Sequence, residues 1–186
     1  MNILIVGVGG QGTLLSSKII GNAALMCGMD AKVSEVHGMS QRGGSVITYA
    51  KLGKDVASPL VENNEGDFLI AFELLEAYRW SHFLKKDGLM IVNSRKIEPM
   101  PVITGQAEYP ENIEEKLKEK FKNHIFLDCF KIAQECGSAK AVNVVLLGIF
   151  AKKSGIPMDI WEKSLVECIK PEFLKINQKA FHAAVV

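Results

Sequence analysis

The sequence predicts an α/β fold, with a mostly parallel sheet covered by helices on both faces. Three observations carry this. Short apolar runs that read as buried strands alternate with longer stretches of helical pattern. A glycine-rich turn joins the first strand to the first helix. Beyond residue 128 the pattern is almost wholly helical. Together they describe a Rossmann-like three-layer sandwich, one domain over residues 1–186, with a helical C-terminal segment.

Ile3 to Val6 is apolar throughout, as a strand buried on both faces requires. Gly7-Val8-Gly9-Gly10-Gln11-Gly12 comes next, and Thr13 to Met26 reads as a helix. In a G-x-G-x-x-G turn Gly7 allows the tight bend and Gly9 lets a backbone approach a ligand. Gly12 lets the helix pack close to the strand. The helix start would aim free N–H groups and its positive dipole end above the turn. Either a phosphate or carboxylate binds there, or the turn is a tight connection with nothing bound.

Gly28 reads as the cap that ends the first helix. Ala31 to Val36, Ser45 to Leu52, Asp67 to Phe72, Leu89 to Val92 and Ile125 to Asp128 read as further strands. Leu74 to Phe83 is helical. So is Glu111 to Lys122, with acids early and lysines late, as the dipole prefers. Lys96 to Pro110 is broken by Pro99, Pro101 and Pro110, with one short strand expected at Val102-Ile103-Thr104. Helices then run over Cys129–Cys136, Ala141–Ser154, Met158–Cys168 and from Pro171 onward. These last helices are expected to pack back on the sheet or to form an oligomer surface.

The net charge of +1 supplies no basic excess for a nucleic-acid surface. No apolar run is long enough for a signal peptide or membrane span, so a cytoplasmic protein is expected. The four cysteines, at 27, 129, 136 and 168, have no C-x-x-C spacing and fall in apolar or helical stretches. Buried free thiols are expected there, not metal ligands.

A dinucleotide site would carry an acidic residue roughly 20 residues beyond its glycines, and Glu35 stands near that place. The next stretch does not suit such a site: His37-Gly38-Met39-Ser40-Gln41-Arg42-Gly43-Gly44 is a polar, glycine-rich loop. Arg42 offers a planar charged fork for phosphate or carboxylate, or an ion pair to a partner subunit. Gln11, Ser40 and Gln41 offer neutral hydrogen bonds. His37 is an acid–base candidate, or is bonded to a backbone carbonyl. Glu73 is an edge carboxylate or, as favoured here, a helix N-terminal residue held by the dipole. Asn143 is expected to bond to backbone or a facing loop, Met39 to pack at an interface, and Trp80 and Trp161 to anchor core or interface. No catalytic residue is assigned.

The turn Gly7–Gly12 and the stretch Glu35–Val46 together resemble the gamma domain of the 2-oxoacid:ferredoxin oxidoreductases. The likeness is closest to the small subunits of the indolepyruvate branch. It continues through Asp67–Glu73, Asn143–Gly148, Asn177 and Ala180-Phe181, and so spans nearly the whole chain. The resemblance implies oxidative decarboxylation of a 2-oxoacid on thiamine diphosphate, electron transfer through iron–sulfur clusters to ferredoxin, and acyl transfer to coenzyme A. It implies that thiamine diphosphate and clusters belong to a large alpha subunit and that this chain binds no cofactor alone. No G-D-G followed by a distant N-N occurs here to hold thiamine diphosphate. The two loops, Gly7, Gly9, Gly10, Gln11 and Gly12 with His37, Gly38, Ser40, Gln41, Arg42, Gly43 and Gly44, are then expected to form one surface. That surface binds an anionic group or closes over the partner's active site. Deprived of its partner, the chain is expected to self-associate. The other class left open is a stand-alone nucleotide- or flavin-binding protein of the same fold.

Overall fold

The structure is a computed structural model and describes residues 1–37 and 43–184. Among these residues six strands form one sheet: β1 (Asn2–Val8), β2 (Asp30–His37), β3 (Ser45–Gly53), β4 (Gly66–Ala71), β5 (Leu84–Asn93) and β6 (His124–Leu127). Their order is β2-β3-β1-β4-β5-β6. β1, β4, β5 and β6 pair in parallel, while β3 runs antiparallel to both of its neighbours, β1 and β2. The sheet is mostly parallel, as expected. The reversed β3 is the exception, because β2 and β3 form a hairpin and not a crossover.

Alternation along β1 divides the core. Ile3 and Ile5 face one layer, Leu4 and Val6 the other, and all four are fully buried. The first layer holds α1 (Thr13–Met26), α5 (Cys129–Glu135), α6 (Val142–Ser154), α7 (Met158–Cys168) and α8 (Pro171–Ala183). The second holds α2 (Leu74–Trp80) and α4 (Ile113–Lys120). Gly148 lets α6 cross α8 closely, and Phe181, Phe150 and Trp161 fill the space around the crossing.

α1 and α7 begin and end where the pattern places them. Gly28, at φ 73°, comes just after the end of α1, and its neighbour Met29 N donates to Ala24 O. The strand expected at residues 102–104 is absent. Met100–Ile103 is instead a one-turn helix, α3, with Pro101 in its first turn, where a missing N–H costs nothing. The cysteines are free, but only Cys129 and Cys136 are buried, and Cys27 is exposed at the end of α1. No helix is long and apolar enough to cross a membrane among the described residues.

Candidate functional site

The glycine turn and the β2–β3 connection meet at the C-terminal edge of the sheet. Val8 pairs with Ser45, and Gly9 N donates to Gly44 O at 2.9 Å. Gly43 takes φ 80° beside this junction. Gly38, Ser40, Gln41 and Arg42 lie outside the described residues, as does the side chain of His37, whose backbone closes β2.

Within the turn three glycines, Gly7, Gly10 and Gly12, have a definite reason. A Cβ at Gly7 would stand 2.7 Å from Gln11 Oε1 and 3.0 Å from Phe72 Cβ. Gly10 and Gly12 take φ 96° and 90°. The close approach at Gly12 is to α6 and not to the strand: its Cβ would lie 2.8 Å from Asn143 Nδ2. Gln11, expected to offer neutral hydrogen bonds, lines the cleft and also bonds within the turn. Its Oε1 accepts Val8 N at 2.6 Å, so the amide closes the turn from within.

A cleft of about 770 Å3 opens beside this turn. Gly10 to Gly12 form one wall, Arg95 beyond β5 another, and Ser138 to Asn143 entering α6 a third. Lys170, Phe173 and Asn177 of the α7–α8 connection and α8 close it. Arg95, Lys140 and Lys170 line it and no carboxylate among the described residues does. α1, α6 and α8 all start at its rim with no side-chain hydrogen bond capping them, and α1 and α6 have no acid in their first turn. Their positive dipole ends add to the three cations. The Arg95 guanidinium stacks on Phe130, 4.4 Å from the ring centroid. The arrangement suits a ligand carrying several negative charges.

Asn93 fastens the floor. Its Nδ2 donates to Phe72 O at 3.0 Å, and its Oδ1 accepts Cys129 N at 3.0 Å. Glu35 does not line the cleft, and its Oε2 accepts the hydroxyls of Thr13 and Thr48 at 2.9 Å each. It ties α1 to the hairpin and is not placed as a ribose ligand. Glu73 caps α2, accepting Glu76 N at 3.0 Å, as favoured from the sequence. Burial pushes its carboxyl up to about 7, although backbone amides hold it down. Trp161 is core; Trp80 donates to Glu76 Oε2 at 3.0 Å, beside the root of the β2–β3 connection.

Arg95, Lys140, Lys170 and Asn177 were not singled out for binding from the sequence. Each comes from a different connection or helix, so only the fold assembles them. Among the described residues no group of three or more His, Cys, Asp or Glu side chains is placed to hold a metal ion.

A mostly parallel sheet with a glycine turn and a cation-lined cleft at its C-terminal edge has the geometry in which open α/β sheets place ligands. The chain belongs to the pyruvate ferredoxin/flavodoxin oxidoreductase family, whose model matches residues 2–186. It is 40% identical to indolepyruvate oxidoreductase subunit IorB of Pyrococcus horikoshii, over 99% of this chain and 94% of that one. It is 27% identical to the pyruvate/ketoisovalerate oxidoreductases common subunit gamma of Pyrococcus abyssi, over 96% and 91%. The fold matches the keto/oxoacid ferredoxin oxidoreductase gamma subunit from Geobacter sulfurreducens, with TM-score 0.72 and 22% identity over 98% and 94% of the two chains. It also matches 29% of a chain of the 2-oxoglutarate:ferredoxin oxidoreductase from Magnetococcus marinus, with TM-score 0.72 and 18% identity over 97% of this chain.

Proposed function

We propose that the chain is the small subunit of a 2-oxoacid:ferredoxin oxidoreductase acting on an aryl-pyruvate such as indolepyruvate. Relatives that it matches nearly end to end are themselves subunits of such oxidoreductases. It works in the cytoplasm beside a large alpha subunit. Thiamine diphosphate on that subunit supplies the decarboxylation chemistry, and its iron–sulfur clusters carry electrons to ferredoxin. The acyl group leaves on coenzyme A.

The observation that carries this chain's own share is the cleft at the sheet edge, with Arg95, Lys140 and Lys170 and no carboxylate among its described lining residues. It serves as an anion-holding wall turned toward the partner's active site. The phosphates of coenzyme A and the carboxylate of the 2-oxoacid both have the charge it favours. Gly7 to Gly12 supply shape and backbone donors, and Gly44, just before β3, meets the same edge through Gly9 N. The stand-alone dinucleotide reading is disfavoured, because Glu35 does not line the cleft and its Oε2 is tied to Thr13 and Thr48.

The test is co-purification with the large subunit, followed by assay of ferredoxin or dye reduction with several aryl-pyruvates and coenzyme A. The chain alone should be inactive and the complex active. A chain that retains a flavin and ignores the large subunit would overturn the proposal.

A further inference from the structure

β2 is an edge strand with an open side. It pairs with β3 along its whole length and with no other strand among the described residues. Such an edge presents a row of backbone N–H and C=O groups that another extended strand can satisfy together. Edges are commonly blunted by proline, a bulge, shortness or an outward charge. β2 runs from Asp30 to His37 in unbroken register and without proline. Its one lysine, Lys32, is drawn back onto Asp30, donating to both carboxylate oxygens at 2.8 and 2.9 Å.

The flank of this edge is apolar. Val33 stands in a groove of about 600 Å3 with Leu14 and Leu25 of α1, and the three are 40%, 64% and 59% exposed. Val36, on the other face of the strand, is exposed as well. The two charged residues of the groove, Lys18 and Glu167, are opposite in sign, so the surface favours neither an acidic nor a basic partner. The groove shares Cys168 alone with the cleft, so an occupant here leaves the cations of the cleft open.

We propose that this edge is an interface between two copies of the chain, β2 of one running antiparallel to β2 of the other, so that two six-stranded sheets join edge to edge. A two-fold axis normal to the sheet keeps each face on its own side, so the numbers of opposed residues must sum to an even value. In the register centred on Val33, that valine meets its own copy. Lys32 then faces Ser34 of the second copy, Ala31 faces Glu35 and Asp30 faces Val36, and no like charges meet. Centring on Lys32 or on Glu35 would set like charges against each other, and centring on Ser34 would set Val33 against Glu35. The strand thus complements itself. The opposed residues, 30 to 36, span about 24 Å at the rise of a strand, and a strand with a helix beside it is about 20 Å across. Together these give about 500 Å2 from each copy, close to the floor for a specific interface, so self-association in the micromolar range is expected.

The test is sedimentation velocity of the full chain across the micromolar range, where a reversible dimer is expected. Val33→Lys sets two lysines on the axis and should weaken the dimer roughly tenfold. Ser34→Lys sets its charge against Lys32 of the second copy and should act in the same direction, which keeps the proposal testable if Val33→Lys does not fold. Opposed residues of an antiparallel pair stand about 4.5–5.5 Å apart at Cα, within the span of a disulfide. With Cys27→Ser and Cys168→Ser removing the exposed and half-buried native thiols, Val33→Cys should cross-link two chains on mild oxidation, whereas Val36→Cys should not. A chain that stays monomeric throughout the range would overturn the proposal. A dimer unmoved by both lysine variants, or one that cross-links through Val36→Cys and not Val33→Cys, would place the contact elsewhere and overturn it too. A complex that holds one small subunit and shields β2 from hydrogen exchange would assign the edge to the large subunit instead.

Discussion

Gly148 on α6 lies directly beneath the backbone carbonyl of Phe181 on α8. A Cβ at residue 148 would stand 1.9 Å from that oxygen and 2.9 Å from its carbon. Backbone cannot yield as a side-chain tip can, so Gly148→Ala must drive the two helices apart. Phe181, 1% exposed, would lose its packing against Trp161. The expected cost is about 3 kcal/mol, the upper end of overpacking effects, read as a lowered midpoint in chemical denaturation. An unchanged midpoint would mean that α8 is not seated against α6.

Glu35 offers a cleaner separation of structure from ligand binding. Removing its carboxylate in Glu35→Ala strands the hydroxyls of Thr13 and Thr48, which are 7% and 0% exposed. Loss of stability of about 1–3 kcal/mol is expected, with the affinity of the cleft for sulfate, a probe anion, retained in the molecules that remain folded. A selective loss of nucleotide binding with stability intact would restore Glu35 as a ribose ligand.

Glu73 also gives stability a pH dependence of defined sign. Its folded pKa, about 7, is above the ordinary 4.5, so the folded chain holds this proton more tightly than the unfolded chain does. The contribution is full below about pH 4.5, declines as pH rises, and is gone once pH passes 7. The shift corresponds to about 3 kcal/mol. Denaturation of wild type and Glu73→Gln from pH 4.5 to 8.5 isolates it: the difference between them should change with that sign. A constant difference would contradict it.

Lys140 and Lys170 are exposed at the cleft rim, so their removal should cost little stability. Lys140→Gln and Lys170→Gln should each shift folding by less than about 0.5 kcal/mol. Each should weaken sulfate binding about threefold, more at low ionic strength than high. In the complex, the effect should appear in the KM for coenzyme A or the 2-oxoacid before kcat. Unaltered affinity in the double variant would show that the anion sits elsewhere.

Local signals were legible wherever local physics decides. The limits of α1 and α7 and the cap at Gly28 are set by periodicity and turn chemistry within a few residues. At 102–104 three β-prone residues suggested a strand, but Pro101 starts a helical turn and no neighbouring strand is there to pair with. The reversed direction of β3 also escaped, since alternation along a strand is the same in either direction. Gln11 reads equally well as a ligand contact or an internal clasp; only the 2.6 Å approach of Val8 N shows the clasp. Arg95, Lys140 and Lys170 are ordinary surface residues in sequence and become a site only when three distant connections converge.

The place of β1 in the sheet has a consequence for how the chain comes together. It is flanked by β3 on one side and β4 on the other, so it is the hydrogen-bonded seam between the β2–β3 hairpin and the β4-β5-β6 half. The hairpin is local and cheap to close, whereas the parallel half needs long crossovers. Each piece can gather by itself, but they become one sheet only when the first eight residues are threaded between them. Deleting that strand would leave two separate halves and not a smaller version of the same fold.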